Sequence, residues 1–350
     1  MDEQLTGLSK FFARARARNE PLVMATVLAT AGSTYAKAGA RILIGSDGAA
    51  SGMLSGGCLE ADLHERAARV LARDRAERVF FDSRTSDDPI WGIGMGCEGA
   101  MDVWLQPSMP PDYPAVSYLH DCLMREVPGA IATVVGGAAT ETELGKHAFA
   151  GASPTDPLTA ELAAAAGSAT CAELGRILFD GRGIEFFVAP LALPTSLLIC
   201  GAGPDAVPVH AFSAELGWRV TIYDHRPAFA SSTLFPQAVR VLCGRPQEAA
   251  ERLATARFDA AVVMSHQLAA DAEYLRWLAR EPPRYIGLLG PEARRKRLLL
   301  ELGDALTGIA DRLHGPVGLD IGATAPAGIA LSIVAHIQAV LAGRAGGPFR

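Results

Sequence analysis

The stretch Leu197–Asp224, LLICGAGPDAVPVHAFSAELGWRVTIYD, decides the fold of the second half of this chain. An apolar strand run at Leu197–Cys200 leads into a Gly-x-Gly-x-x-Ala turn, a helical segment from Ala206 to about Leu216, a second strand, and an acid. That order is the one used by dinucleotide-binding βαβ units. Gly201 and Gly203 would supply the tight turn and the close backbone approach to a pyrophosphate, and Ala206 the close packing of helix on strand. The helix would aim its N-terminal amides at the phosphates. Asp224 falls where an acid accepts ribose hydroxyls, while Arg226 beside it could accommodate a ribose phosphate. The plainer alternative is a βαβ unit whose glycines only close a turn.

Downstream, the strand near Val239–Cys243, the buried run Phe258–Ser265, the helix Ala269–Ala279, the strand Arg284–Gly290 and the helices Glu292–Gly303 and Ala327–Leu341 continue the alternation. Alternating elements of this kind imply a parallel sheet covered on both faces. His266 follows a strand at its carboxyl edge, Gly290 ends another, and Asp320 lies in a glycine-rich loop before the last helix. Open α/β sheets bind ligands at that edge. Arg294, Arg295, Lys296 and Arg297 are consecutive, so they cannot share one helical face and at least two are solvated.

Upstream of the boundary at Pro190–Pro194 the pattern changes. A helix is expected over Thr6–Ala17 on the stripe Leu8, Phe11, Phe12, then a strand, a Gly/Ser loop, a strand at Arg41–Ile44 and a turn at Ser46-Asp47-Gly48. A helix follows at Leu59–Ala72, then strands at Arg78–Asp82 and Met101–Gln106. Pro107–Pro114 carries four prolines and reads as a connector. Pro128–Pro194 reads as short strands around a Gly/Ala-rich stretch. The chain therefore divides into domains at about 1–190 and 195–345.

The chain has 350 residues, 49% hydrophobic and 20% charged, which is enough for two cores. A net charge of -6 argues against nucleic acid or a membrane surface as partner. No apolar run is long enough for a secretory core or a bilayer span. Six cysteines, Cys58, Cys97, Cys122, Cys171, Cys200 and Cys243, are scattered without a C-x-x-C pair, so a reducing cytoplasm is expected.

Two cysteines stand out. Cys58 follows Gly56 and Gly57 at a helix start, a position that lowers a thiol's pKa; Cys97, in GMGCEG, is also flanked by glycines. Thiolates suit soft metals and sulfur chemistry, although the commonest fate of cysteine is to be a small buried hydrophobe. In GSTYAKAGAR, Ser33, Thr34, Lys37 and Arg41 could cradle an anion, or form an ordinary polar hairpin. No Ser/His/Asp triad, H-E-x-x-H or Walker spacing is present, so no hydrolytic engine is evident.

Taken in order, GSTYAKAGAR, SGGCLEADL, GMGCEGAMDVWLQP, GAGPDA, AVVMSH, YIGLLGPEARRKRLL and GPVGLDIGATAPAGIALSIVAHI resemble the XdhC/CoxI family over nearly the whole length. The resemblance implies an N-terminal α/β XdhC/CoxI domain and a C-terminal Rossmann-like doubly wound parallel sheet, as a homodimer. It further implies a non-catalytic maturation factor that binds molybdenum cofactor, as molybdopterin or its dinucleotide form. Such a factor protects the cofactor during sulfuration and assists insertion into an apo molybdenum hydroxylase of xanthine or CO dehydrogenase type, with a sulfurtransferase as a further partner. Cys58 and Cys97 match the family's two glycine-flanked cysteines, Cys58 being the candidate contact to molybdenum or its sulfur, and Gly201, Gly203 and Asp224 match its nucleotide fold. Departures fall at Ala189, where Glu is more usual, Pro204 (His), Gln267 (Asn or Asp), and Ala327 and Gly328 (two Glu). An oxidoreductase using NAD(P) at Gly201–Asp224, with His266 or Asp320 as acid or base, is the alternative; a nucleotide-sensing regulator is a third reading.

Overall fold

The computed structural model describes residues 2–57, 59–82, 99–191, 193–254 and 256–348. The chain forms two compact units, Met1–Leu193 and Pro194–Arg350.

The first unit runs α1 (Asp2–Ala17), β1 (Leu22–Gly32), β2 (Arg41–Gly45), β3 (Ala50–Gly52), α2 (Glu60–Arg73), β4 (Glu77–Asp82), β5 (Gly99–Ser108), α3 (Pro114–Arg125), β6 (Gly129–Gly137), β7 (His147–Phe149), α4 (Pro157–Ser168), β8 (Glu173–Phe179) and β9 (Arg182–Leu191). Two antiparallel sheets result, ordered β3-β2-β1-β5-β4 and β7-β6-β9-β8. Alternate residues of β1 point to opposite faces. Val23, Ala25 and Val27 pack with Leu63, Ala67 and Val70 of α2, whereas Leu22 and Met24 pack with Leu8 and Phe12 of α1 and Leu119 of α3. With helices over both faces, β1 is apolar without alternation.

Two expectations about this unit need correction. Pro107 is not in a connector; it lies in β5 opposite Val23. The ladder tolerates it because β4 begins only at Glu77, opposite Leu105, so Pro107 has a neighbour on one side only. The connector is confined to 109–113, after which Pro114 opens α3 at a position where a missing N–H costs nothing. The Gly/Ala-rich stretch is the helix α4. Asp156 caps it by accepting from the Thr159 N–H, with Pro157 in its first turn.

The second unit runs β10 (Ser196–Cys200), α5 (Ala206–Glu215), β11 (Arg219–Asp224), β12 (Arg240–Cys243), α6 (Ala249–Arg252), β13 (Ala260–Val263), α7 (Leu268–Leu278), β14 (Tyr285–Leu288), α8 (Glu292–Leu302), β15 (Leu313–His314) and α9 (Pro326–Leu341). All neighbours in the sheet β12-β11-β10-β13-β14-β15 are parallel. Leu198, Ala261 and Val263 face Leu275 of α7 and Leu298 of α8, while Leu197, Ile199 and Val220 face Val209 of α5 and Ile333 of α9. This is the doubly wound sheet expected, with its strand order reversing at β10.

Candidate functional site

Register brings the glycine-rich motifs of the first unit to one end of its five-stranded sheet. Gly32, the last residue of β1, pairs with Gly99, the first of β5. Arg41, which opens β2, pairs with Thr26, and Gly52, which closes β3, pairs with Ile42. Asp82, at the end of β4, pairs with Ala100. The loops that begin after Gly32, Gly52 and Asp82 therefore leave from the same end of the sheet. Cys58 and Cys97 belong to two of those loops but lie outside the described residues.

In the first loop, Thr34 Oγ1 donates to the Ala36 carbonyl (2.9 Å) and the exposed Lys37 Nζ reaches Thr34 Oγ1 (3.4 Å). A side chain on Gly99 would collide with the Ser33 carbonyl and the Thr34 methyl, so the absence of one lets β5 start directly against this loop. In the second, Ser55 accepts from the Leu59 N–H (3.0 Å) and donates from its hydroxyl and its N–H to Glu60. Burial works to raise the Glu60 carboxyl; the hydrogen bonds from Ser55 outweigh it and hold the carboxyl below its ordinary value. The serine and glutamate thus fix both ends of the Gly56-Gly57 turn. Gly57 has φ +108°, which favours glycine, and a Cβ on either glycine would point into open space.

Arg41 is the electrostatic anomaly of this end. It is only 9% exposed, and its Nε is buried with no hydrogen-bond partner. No carboxylate among the described residues pairs with it, and burial alone lowers its guanidinium to about 10. A buried cation of this kind is half of an interaction.

At the carboxyl edge of the second unit's sheet, Gly201 (φ +114°) packs so tightly that a Cβ would lie 2.5 Å from the Met264 carbonyl oxygen. Asp224, expected to accept ribose hydroxyls, is fully buried and occupied by the chain itself. It accepts from the Ala202 N–H (2.6 Å), the Arg226 N–H (2.8 Å) and Arg226 Nε and Nη2 (3.0 and 2.7 Å). Burial would raise its carboxyl, but Arg226 and these amides hold it low. The reason for the difference is local: Arg226, two residues on, folds back over the acid and stacks on Phe229, 4.3 Å from the ring centroid.

His266 adopts φ +61° and places Nε2 2.7 Å from Asp205 Oδ2. Asp271, also fully buried, accepts from the Ser265 hydroxyl and from Arg294 Nε and Nη2 (3.0 and 2.6 Å). At Gly290 (φ +127°) a Cβ would meet Arg294 Cδ at 2.6 Å, so the missing side chain leaves room for the Arg294 stem of this pair. Lys296 and Arg297 are exposed, as the spacing required, and Asp320 is exposed in its loop. Ala189 is buried in an apolar cluster with Leu28, Trp104 and Phe187. Asp205, Asp271 and Glu60 escaped the sequence reading. Only Asp205 left a signal, as an acid inside the glycine turn.

An antiparallel domain with glycine loops at one sheet end, followed by a Rossmann unit, defines a two-domain α/β protein of a recognisable class. The first part matches the XdhC and CoxI family over residues 15–82, and the second the XdhC Rossmann domain over residues 197–337. The chain is 32% identical over 319 residues to a Bacillus subtilis (strain 168) protein named as a probable xanthine dehydrogenase subunit, covering 91% of this chain and 92% of that one. The chain belongs to the XdhC/CoxI family. It is also 32% identical over 172 residues to the uncharacterized protein YqeB of Escherichia coli (strain K12), covering 48% of this chain and 31% of that one. A crystal structure titled as a xanthine dehydrogenase from Bacillus halodurans superposes with a TM-score of 0.79 at 28% identity, covering 98% of each chain.

Proposed function

We propose that this chain is a maturation factor for a molybdenum hydroxylase of the xanthine or CO dehydrogenase type. It takes up molybdenum cofactor as cargo at the loop end of the five-stranded sheet, shields it while the terminal sulfur is installed, and hands it to the apo-enzyme. The observation that carries this reading is Arg41, a buried guanidinium whose Nε has no hydrogen-bond partner among the described residues and which opens β2 toward the sheet end from which the glycine loops leave. A pterin phosphate supplies the anion that Arg41 lacks, with Lys37 as a second cation. Gly56 and Gly57 leave their backbone open to a close-fitting ligand. Cys58, next in sequence, is assigned the contact to molybdenum or its sulfur, with Cys97 as its companion; both are soft donors suited to that metal. Family membership and the name of the Bacillus subtilis relative support the choice of client. A sulfurtransferase as sulfur source and a homodimer as the working form belong to the same proposal, as does action in the cytoplasm; no helix among the described residues is long and apolar enough to cross a membrane.

The test is complementation. In cells lacking this chain, the client hydroxylase should accumulate without a complete cofactor, and Cys58→Ala should fail to restore its activity where wild type succeeds. Equal loading of the hydroxylase by Cys58→Ala protein would remove Cys58 from the mechanism.

A further inference from the structure

We infer that the glycine turn of the Rossmann unit is closed to dinucleotides by the chain's own Asp205, and that the Gly201–Ala206 fingerprint serves packing within the unit. In a dinucleotide turn the second glycine lacks a side chain so that the backbone can approach the pyrophosphate. Here the space over that glycine is already filled: a Cβ on Gly203 would meet Asp205 Oδ1 at 2.6 Å and His266 Cδ2 at 3.9 Å. His266 Nε2, 2.7 Å from Asp205 Oδ2, pins the carboxylate there, and Asp205 Oδ1 is itself buried without a donor. An incoming phosphate would meet a carboxylate at the helix start where free amides should greet it.

The donors are depleted as well. Pro204 directly follows the second glycine and has no N–H to offer. The ribose corner is no better, because Asp224 already accepts from one backbone amide of the turn and from three donors of Arg226. The first glycine needs no ligand to explain it, since the approach of Met264 to Gly201 forbids a side chain. Phosphate seat and ribose acceptor are thus both taken by side chains of the same chain, which leaves an oxidoreductase without a seat for its nicotinamide cofactor. The inference concerns the second unit alone and stands whether or not the first unit carries molybdenum cofactor.

Isothermal titration of the full chain with NAD+, NADP+ and inorganic pyrophosphate tests it. Wild type should show no saturable binding with any of the three at about 1 mM ligand. The double variant Pro204→Ala, Asp205→Ala restores an N–H and empties the seat, and should gain at least about tenfold in affinity for pyrophosphate and NAD+. Asp205→Asn, which removes the charge but keeps the bulk, should show a smaller gain with pyrophosphate and carries the test if the double variant does not fold, as judged by circular dichroism. Micromolar binding of NAD+ or NADP+ to wild type would overturn the inference, and so would folded variants that gain nothing.

Discussion

Replacing Arg41 with Met should make the cofactor-free protein more stable while removing its response to anions. Burial lowers the guanidinium to about 10 in the folded chain, which corresponds to about 3 kcal/mol against the charged form. The folded value is depressed for a basic group, so the unfolded state binds the proton more tightly. The penalty is fully present at pH 7 and at every pH below about 10, and is relieved only as the pH rises through 10. Met is unbranched and adaptable enough to fill the stem's place without a charge. Allowing for imperfect repacking, the variant should gain about 2 kcal/mol, or about 4–8 °C in melting temperature for a unit of this size. Thermal unfolding of both proteins at pH 7, followed by circular dichroism with and without added inorganic phosphate, gives two readouts. Phosphate should raise the melting temperature of wild type by mass action and leave the variant unmoved. A variant that melts below wild type by more than about 2 °C would mean that Arg41 has a counter-ion within the chain, and the anion-site reasoning would fail.

Three further outcomes follow from the geometry. Asp271→Ala strands the half-buried Arg294 and the Ser265 hydroxyl and should cost about 3–5 kcal/mol, whereas Asp271→Leu with Arg294→Met should recover most of that in a urea melt. Gly201→Ala forces a Cβ to 2.5 Å from the Met264 carbonyl at φ +114° and should lower the urea midpoint by the equivalent of about 3 kcal/mol, with the slope unchanged. Glu143, held to about 2 by Arg182 and by the Thr140 amide, should titrate there in a carboxyl-detected NMR series. Its contribution to stability is present above the ordinary carboxylate range and lost as the pH falls through the folded value, and Arg182→Ala should move the midpoint up toward that range, the Thr140 amide still holding it below.

The Rossmann unit was the more legible half because its central strands β10, β13 and β14 are buried on both faces and read as apolar runs between turn residues. The helix expected over Glu292–Gly303 spans Glu292–Leu302, and that expected over Ala206–Leu216 spans Ala206–Glu215. In the first unit, α3 and α4 were hidden for different reasons. Tyr113 opens α3 from a left-handed conformation with no side-chain cap, amid prolines that suggest a connector. The alanines of α4 give no contrast between faces, although Asp156-Pro157 announces its start. The site was visible as motifs but not as a place. Only the pairing register brings the loops after Gly32, Gly52 and Asp82 to one sheet end, and register is a tertiary property. The occupation of Asp224 by Arg226, and of the space over Gly203 by Asp205, depends on side-chain direction that spacing alone does not fix.

The most direct measurement is the molybdenum and pterin content of the chain purified from cells that make molybdenum cofactor, for wild type, Arg41→Met and Cys58→Ala. Stoichiometric molybdenum and pterin in wild type, both reduced in Arg41→Met and molybdenum reduced in Cys58→Ala, is the predicted result. Wild-type protein free of both, or an Arg41→Met variant that retains them in full, would contradict the assignment of the cofactor to the loop end of the five-stranded sheet.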